Sequence, residues 1–137
     1  MGRQRIVPTH FPVIPRDDNV RVFSIFLGFA GLLAKCNRGE TITLTLASGK
    51  PLGEDQELQS GAYYKLEITA DGSAELAIEG PSFFRAIWID EIVVEGLEIR
   101  PLGLDSIEFD EAGEMEIGFL AIKPGSYYLK IPGSTGE

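Results

Sequence analysis

The sequence predicts an all-β fold, a Greek-key β-sandwich over residues 40–137 with an apolar segment ahead of it. Three observations carry that prediction. From Glu40 onward apolar residues recur with a period of two, the mark of strands with one buried face. Turn signals punctuate the runs about every ten residues. The length of this stretch matches the roughly 100 residues of a two-sheet sandwich.

Taken in chain order, Ile42, Leu44 and Leu46 alternate with threonines, then Ser48-Gly49-Lys50-Pro51 turns the chain. Tyr64, Leu66 and Ile68 alternate with Lys65, Glu67 and Thr69, and Ala70-Asp71-Gly72-Ser73 follows as a turn. Leu76 and Ile78 open another strand. Pro81 to Ile89 breaks the alternation and reads as a strand entering the core or as a short helical turn setting Phe84 and Trp88 on one side; its first part is expected to be irregular. Ile87 to Val94 is expected to be a strand. The aromatics here admit two readings, a ligand platform or filling between the sheets, and the second is the commoner use of such rings. Beyond the Arg100-Pro101-Leu102-Gly103 turn, Ile107 with Phe109, then Met115-Ile117-Phe119, then Tyr127-Leu129-Ile131 complete the pattern. Glu111-Ala112-Gly113 and Lys123-Pro124-Gly125 separate them.

The first 39 residues are a different polymer. They hold six bases (Arg3, Arg5, Arg16, Arg21, Lys35, Arg38) and two acids (Asp17, Asp18), a net of +4. Residues 40–137 hold six bases and nineteen acids, a net of −13, which together give the −9 of the whole chain. The sequence is therefore divided into a basic segment, 1–39, and an acidic domain, 40–137. Within the first lies one apolar run, residues 22–34, V-F-S-I-F-L-G-F-A-G-L-L-A. Its length suits the hydrophobic part of a signal peptide, and Arg21 precedes it as an n-region charge should. Thirteen residues are too short for the 17–25 that cross a bilayer. Leu33-Ala34-Lys35-Cys36 is similar to a lipobox except that Lys35 stands where a small residue belongs. Cleaved export signal, uncleaved anchor, lipoprotein acylated at Cys36 and apolar helix packed on the domain all remain open. Pro8, Pro12, Pro15 and the acidic pair are foreign to a signal's n-region, and on that ground translation is expected to start near Val20. The expected location is periplasmic or extracellular, with any membrane attachment through residues 22–36.

Three stretches carry a family resemblance: Tyr63 to Thr69, Ala74 to Ile78, and Lys123-Pro124-Gly125-Ser126-Tyr127-Tyr128-Leu129. Together they resemble the cupredoxin pattern, whose last strand follows a Pro-Gly-x-Tyr turn. Gly80-Pro81-Ser82-Phe83-Phe84-Arg85 is similar to a segment of small exported bacterial cupredoxin-like proteins. The resemblance implies a cupredoxin-like sandwich over most of 40–137. It also implies copper, held by two His, a Cys and a weak axial ligand. Carried onto this chain, the first His position falls on Leu76 and the Cys position on Ile131, and nothing from Pro132 to Glu137 is His or Met. The chain's one His, His10, and one Cys, Cys36, lie outside the stretch, leaving Met115 as the domain's sulfur. A type-1 copper site cannot be assembled from that inventory.

Other chemistry is sparse. Asp105, Glu108, Asp110, Glu111, Glu114 and Glu116 crowd one hairpin, but their spacing fits no EF-hand loop, so a solvated face is expected. No Ser/His or Cys/His dyad can be built from residues 40–137, which lack both His and Cys. The negative charge disfavours nucleic acid and suits solubility or a basic protein partner. The sequence thus points away from an enzyme and assigns no catalytic, cofactor or metal residue. The expected function is an exported binding or structural module, the alternative a copper-handling or electron-transfer protein with an unconventional site.

Overall fold

The computed structural model describes residues 8–15 and 37–132. The segments expected to hold the apolar run, Cys36 and the Val20 start lie outside the described residues. What is described is mostly β-strand, arranged in several sheets around one core. In chain order the elements are β1 (Thr9–Ile14), β2 (Ile42–Leu46), β3 (Leu58–Gln59), β4 (Tyr63–Ala70) and β5 (Leu76–Glu79). A short helix, α1 (Pro81–Arg85), precedes β6 (Ile87–Val94), β7 (Leu97–Ile99), β8 (Ser106–Phe109), β9 (Gly113–Ala121) and β10 (Gly125–Leu129).

One layer is a five-stranded mixed sheet in the order β2-β4-β9-β6-β7. Its alternation sends Ile42, Leu44, Leu66, Ile68, Ile117 and Phe119 inward, all 3% exposed or less. The β6–β7 hairpin closes on Glu95-Gly96, both at positive φ (49° and 81°). Two such residues make the turn whose twist suits a right-handed hairpin, and Gly96 takes the larger angle without strain. The other layer is assembled from β10-β1-β3 and the β5-β8 pair. Reciprocal bonds from Glu79 N to Lys130 O (2.8 Å) and from Lys130 N to Glu79 O (2.9 Å) join the pair to the end of β10. Between the layers, α1 delivers Phe83, whose ring lies 5.4 Å from Phe11 of one layer and 5.7 Å from Phe119 of the other. The expected break in alternation at Pro81 is this helix, and the strand from Ile87 to Val94 follows it. Phe83 and Phe84 fill the core, as the commoner use of aromatics has it, whereas Trp88 points outward and is 41% exposed.

The boundary at Gly39 needs correction. β1 comes from the basic segment, yet it lies between β10 and β3, antiparallel to the first and parallel to the second. Phe11 and Val13 are 0% and 2% exposed and belong to the core. Pro12 fits mid-strand because of where its absent N–H would point. The carbonyls of His10 and Ile14 accept from Gln56 N and Ser60 N, so the even residues of β1 turn their backbone groups toward β3. That neighbour is only two residues long, and the ladder has little to lose there.

Candidate functional site

Three polar arrangements and one groove stand out among the described residues. The first follows from β1. Its register sets His10 opposite Tyr128 and Pro12 opposite Ser126. The imidazole stacks on the Tyr128 ring (4.6 Å between centroids, 22° between planes), and its Nε2 lies 2.8 Å from Ser126 Oγ. The reasoning that denied a Ser/His pair to residues 40–137 held only while His10 was counted outside the domain. This pair is half of a nucleophilic arrangement. A base also needs a third group to orient it, and developing negative charge needs donors. Asp55 is near, but its Oδ1 accepts from the His10 backbone N (2.8 Å), which fixes the strand and leaves the ring alone.

The second arrangement lies on the outer face of the five-stranded sheet. Tyr63 donates its hydroxyl to Asp90 Oδ2 (2.9 Å), and the Arg38 guanidinium sits 4.4 Å from the ring centroid. Arg100 draws Asp90, Glu91 and Glu98 together at 3.4–3.8 Å. Burial, then the hydrogen bond and charge of Asp90, push the Tyr63 phenol up to about 12. Gly118 makes this possible, since a Cβ there would collide with the Tyr63 hydroxyl. The phenol is thereby locked as a neutral donor, a structural role.

The third is acidic. The β5–β8 register pairs Ala77 with Glu108, and carboxylate oxygens of Glu75, Glu108 and Asp110 gather within 4.8 Å of one another. All three residues are exposed. Glu108 and Asp110 were in the hairpin cluster read from the sequence; Glu75 joins them from just ahead of β5.

The groove lies beside α1. It is open, holds about 500 Å³, and is lined by Phe84, Arg85, Ile87, Leu102, Leu104 and Asp105. Phe84 at its base is 3% exposed and offers little surface, most of the exposed lining is polar, and the rim carries one cation, Arg85, and one anion, Asp105. Leu102 stands fully in solvent beside it. Sequence reasoning treated Arg100 to Gly103 as a turn and had no means of placing it beside α1. Among the described residues no helix is long and apolar enough to cross a membrane.

The described fold and surface define an all-β, two-layered protein with an open groove. Comparison with protein-family models, curated proteins and solved structures finds no match to this chain.

Proposed function

We propose that this protein is a non-catalytic recognition module on a cupredoxin-like Greek-key sandwich, which holds an apolar side chain of a basic protein segment in the groove beside α1. The carrying observation is that groove. Its volume falls within the roughly 300–1,000 Å³ of ligand sites, the exposed Leu102 offers apolar contact at its edge, and Arg85 and Asp105 give its lining one charge of each sign. The net charge of −13 over residues 40–137 favours a basic partner by steering its approach.

Several features support the cupredoxin-like reading. The layers mix parallel pairs (β1 with β3, β2 with β4) among antiparallel ones. Pro124-Gly125-Ser126-Tyr127 leads into β10, with the Tyr127 hydroxyl donating back to Lys123 O at 2.9 Å. The ligand inventory supports a module without type-1 copper, because the chain has a single His. Export, on this reading, leaves residues 1–36 attached, since cleavage after Cys36 would take β1 out of its sheet.

The test is selection of a displayed random-peptide library on the full chain. Expected winners carry an apolar residue next to Lys or Arg, and they lose binding to Leu102→Asp. Winners that bind Leu102→Asp as well as the original chain, or no enrichment at all, would overturn the proposal.

A further inference from the structure

The inner face of the five-stranded sheet carries one apolar row from edge to edge. Register sets Ile42, Leu66, Ile117, Ile92 and Ile99 side by side on β2, β4, β9, β6 and β7. The first four are 5% exposed or less, but Ile99 at the end is 43% exposed. Leu97, two positions away on the same face of β7, is 62% exposed. The core row therefore runs past the cover that the second layer provides. The backbone of β7 is open on that side as well. In a hairpin closed by the two residues Glu95-Gly96, Val94↔Leu97 and Ile92↔Ile99 are the hydrogen-bonded pairs. Glu98 and Arg100 therefore turn their N–H and C=O groups to the free edge. No other described backbone group bonds to residues 97–100.

Other strands end their sheets differently. Along β2, Thr45 N donates to Leu52 O (2.8 Å). β3 is two residues long, and β8 with its flanks carries Asp105, Glu108 and Asp110 and no cation, so two copies of that edge repel. At β7 the charges alternate in sign. Glu98 and Arg100 stand either side of Ile99, on the outer face, with Arg100 63% and Glu98 58% exposed. We infer that β7 pairs antiparallel with β7 of a second copy about a two-fold axis at Ile99, which joins the two sheets into one. That register sets Glu98 opposite the partner's Arg100 and Arg100 opposite the partner's Glu98, and each pair exchanges two backbone bonds. Ile99 meets its own counterpart in a non-hydrogen-bonded pair, where Cα atoms approach to about 4.5 Å and side chains touch. Arg100 precedes Pro101, a position biased to the extended backbone that such pairing needs. The contact is isologous, so it closes as a dimer. Charges on an edge ordinarily prevent pairing. Here a uniformly basic strand would set a cation against Arg100, whereas the two-fold sets an acid there. Repulsion between two chains of net −9 is screened beyond about 8 Å at physiological salt, and the opposed side chains lie within that distance.

Residues 97–100 do not line the groove, so this inference and the peptide selection fail separately. Sedimentation equilibrium of the full chain in physiological salt is expected to show a reversible monomer–dimer equilibrium at submillimolar concentration, as suits a small contact. Amide exchange at Glu98 and Arg100 should slow as the dimer forms, while Leu97 and Ile99, bonded to β6, stay protected throughout. Glu98→Pro removes an edge-facing N–H and no bond to β6, and should weaken association by about tenfold or more. Arg100→Glu and Glu98→Arg should each abolish self-association, because like charges then face each other. An equimolar mixture of those two variants should pair again, since every acid then meets a base. A chain that stays monomeric would overturn the inference, and is the result expected if a strand of another protein occupies the edge. A dimer unchanged by Glu98→Pro, or charge variants that do not recover on mixing, would overturn it too.

Discussion

β9 and β1 each run through the middle of a layer, but they are held there by different means. β9 is paired along nearly its whole length, with β4 from Tyr63↔Leu120 to Ala70↔Gly113 and with β6 on its other side. β1 has a full ladder only toward β10; toward β3 it has two register pairs and the bonds from Gln56 and Ser60. β9 therefore holds its place by backbone pairing on both edges. β1 relies more on what its inward side chains bury, Phe11 and Val13, and on Phe11 against Phe83. A strand held mainly by its side chains can tolerate a proline, whereas one held by two ladders could not.

The largest test of this difference removes β1 altogether. A chain beginning at Val20, where translation was expected to start, lacks Phe11 and Val13, whose burial contributes about 3–6 kcal/mol together. It also leaves the inner edge of β10 unpaired. Since a domain of this size is stable by about 5–15 kcal/mol, the truncated chain should lose its cooperative thermal transition in circular dichroism. A truncated chain that melts like the full one would show that β1 is dispensable and would restore both the Val20 start and the boundary at Gly39.

What could be read from the residues follows the same division. β2, β4, β9 and β10 were legible because one face is buried and the other solvated, so their apolar positions repeat every second residue. Thr9-His10-Phe11-Pro12-Val13-Ile14 alternates too, but its prolines and the acidic pair after it, foreign to a signal, argued for placing it ahead of the translation start rather than in a central strand. β3 and β7, of two and three residues, are too short to show any period. The candidate sites were less legible than the fold. His10 and Ser126 are 116 positions apart, and the groove needs Leu102 brought beside α1. Such meetings depend on strand order, which no local pattern encodes. Trp88 and Leu120 were obscured for a related reason: they are apolar residues on outward positions, so the alternation rule carries no information about what they contact.

A smaller effect separates the outer face of β9 from that of β1. Tyr63, lying against Gly118 of β9, has its phenol raised from 10.0 to about 12, first by burial and then by Asp90. The folded state therefore favours the neutral phenol. That stability is fully present below pH 10 and is lost as pH rises through about 12. Tyr63→Phe should cost about 1 kcal/mol at neutral pH, the worth of one hydrogen bond, and should flatten the alkaline loss in this window. Denaturant midpoints measured at neutral pH and across that window would show it. An equally steep alkaline loss in Tyr63→Phe would assign the titration to other groups.

The smallest expected effect is none, and it bears on the copper alternative. Among the described residues β1 and β9 carry the two candidate ligands, His10 and Met115, and the strands present them to opposite environments. Met115 of β9 is 7% exposed and faces inward, opposite Ile68 of β4. His10 of β1 faces outward from the other layer, stacked on Tyr128 and in reach of Ser126. Metal binding through these two would require both to leave these positions, or His10 alone to act with surface carboxylates. Titration of the full chain with Cu(I) and Cu(II) separately, followed by dialysis and metal analysis, should therefore leave no stoichiometric copper. If one equivalent stays bound, His10→Ala and Met115→Leu identify which strand holds it. Dependence on Met115 would mean that β9 can turn its core face outward, breaking the contrast with β1, whereas dependence on His10 alone would place copper chemistry on the strand that was first read as lying outside the domain.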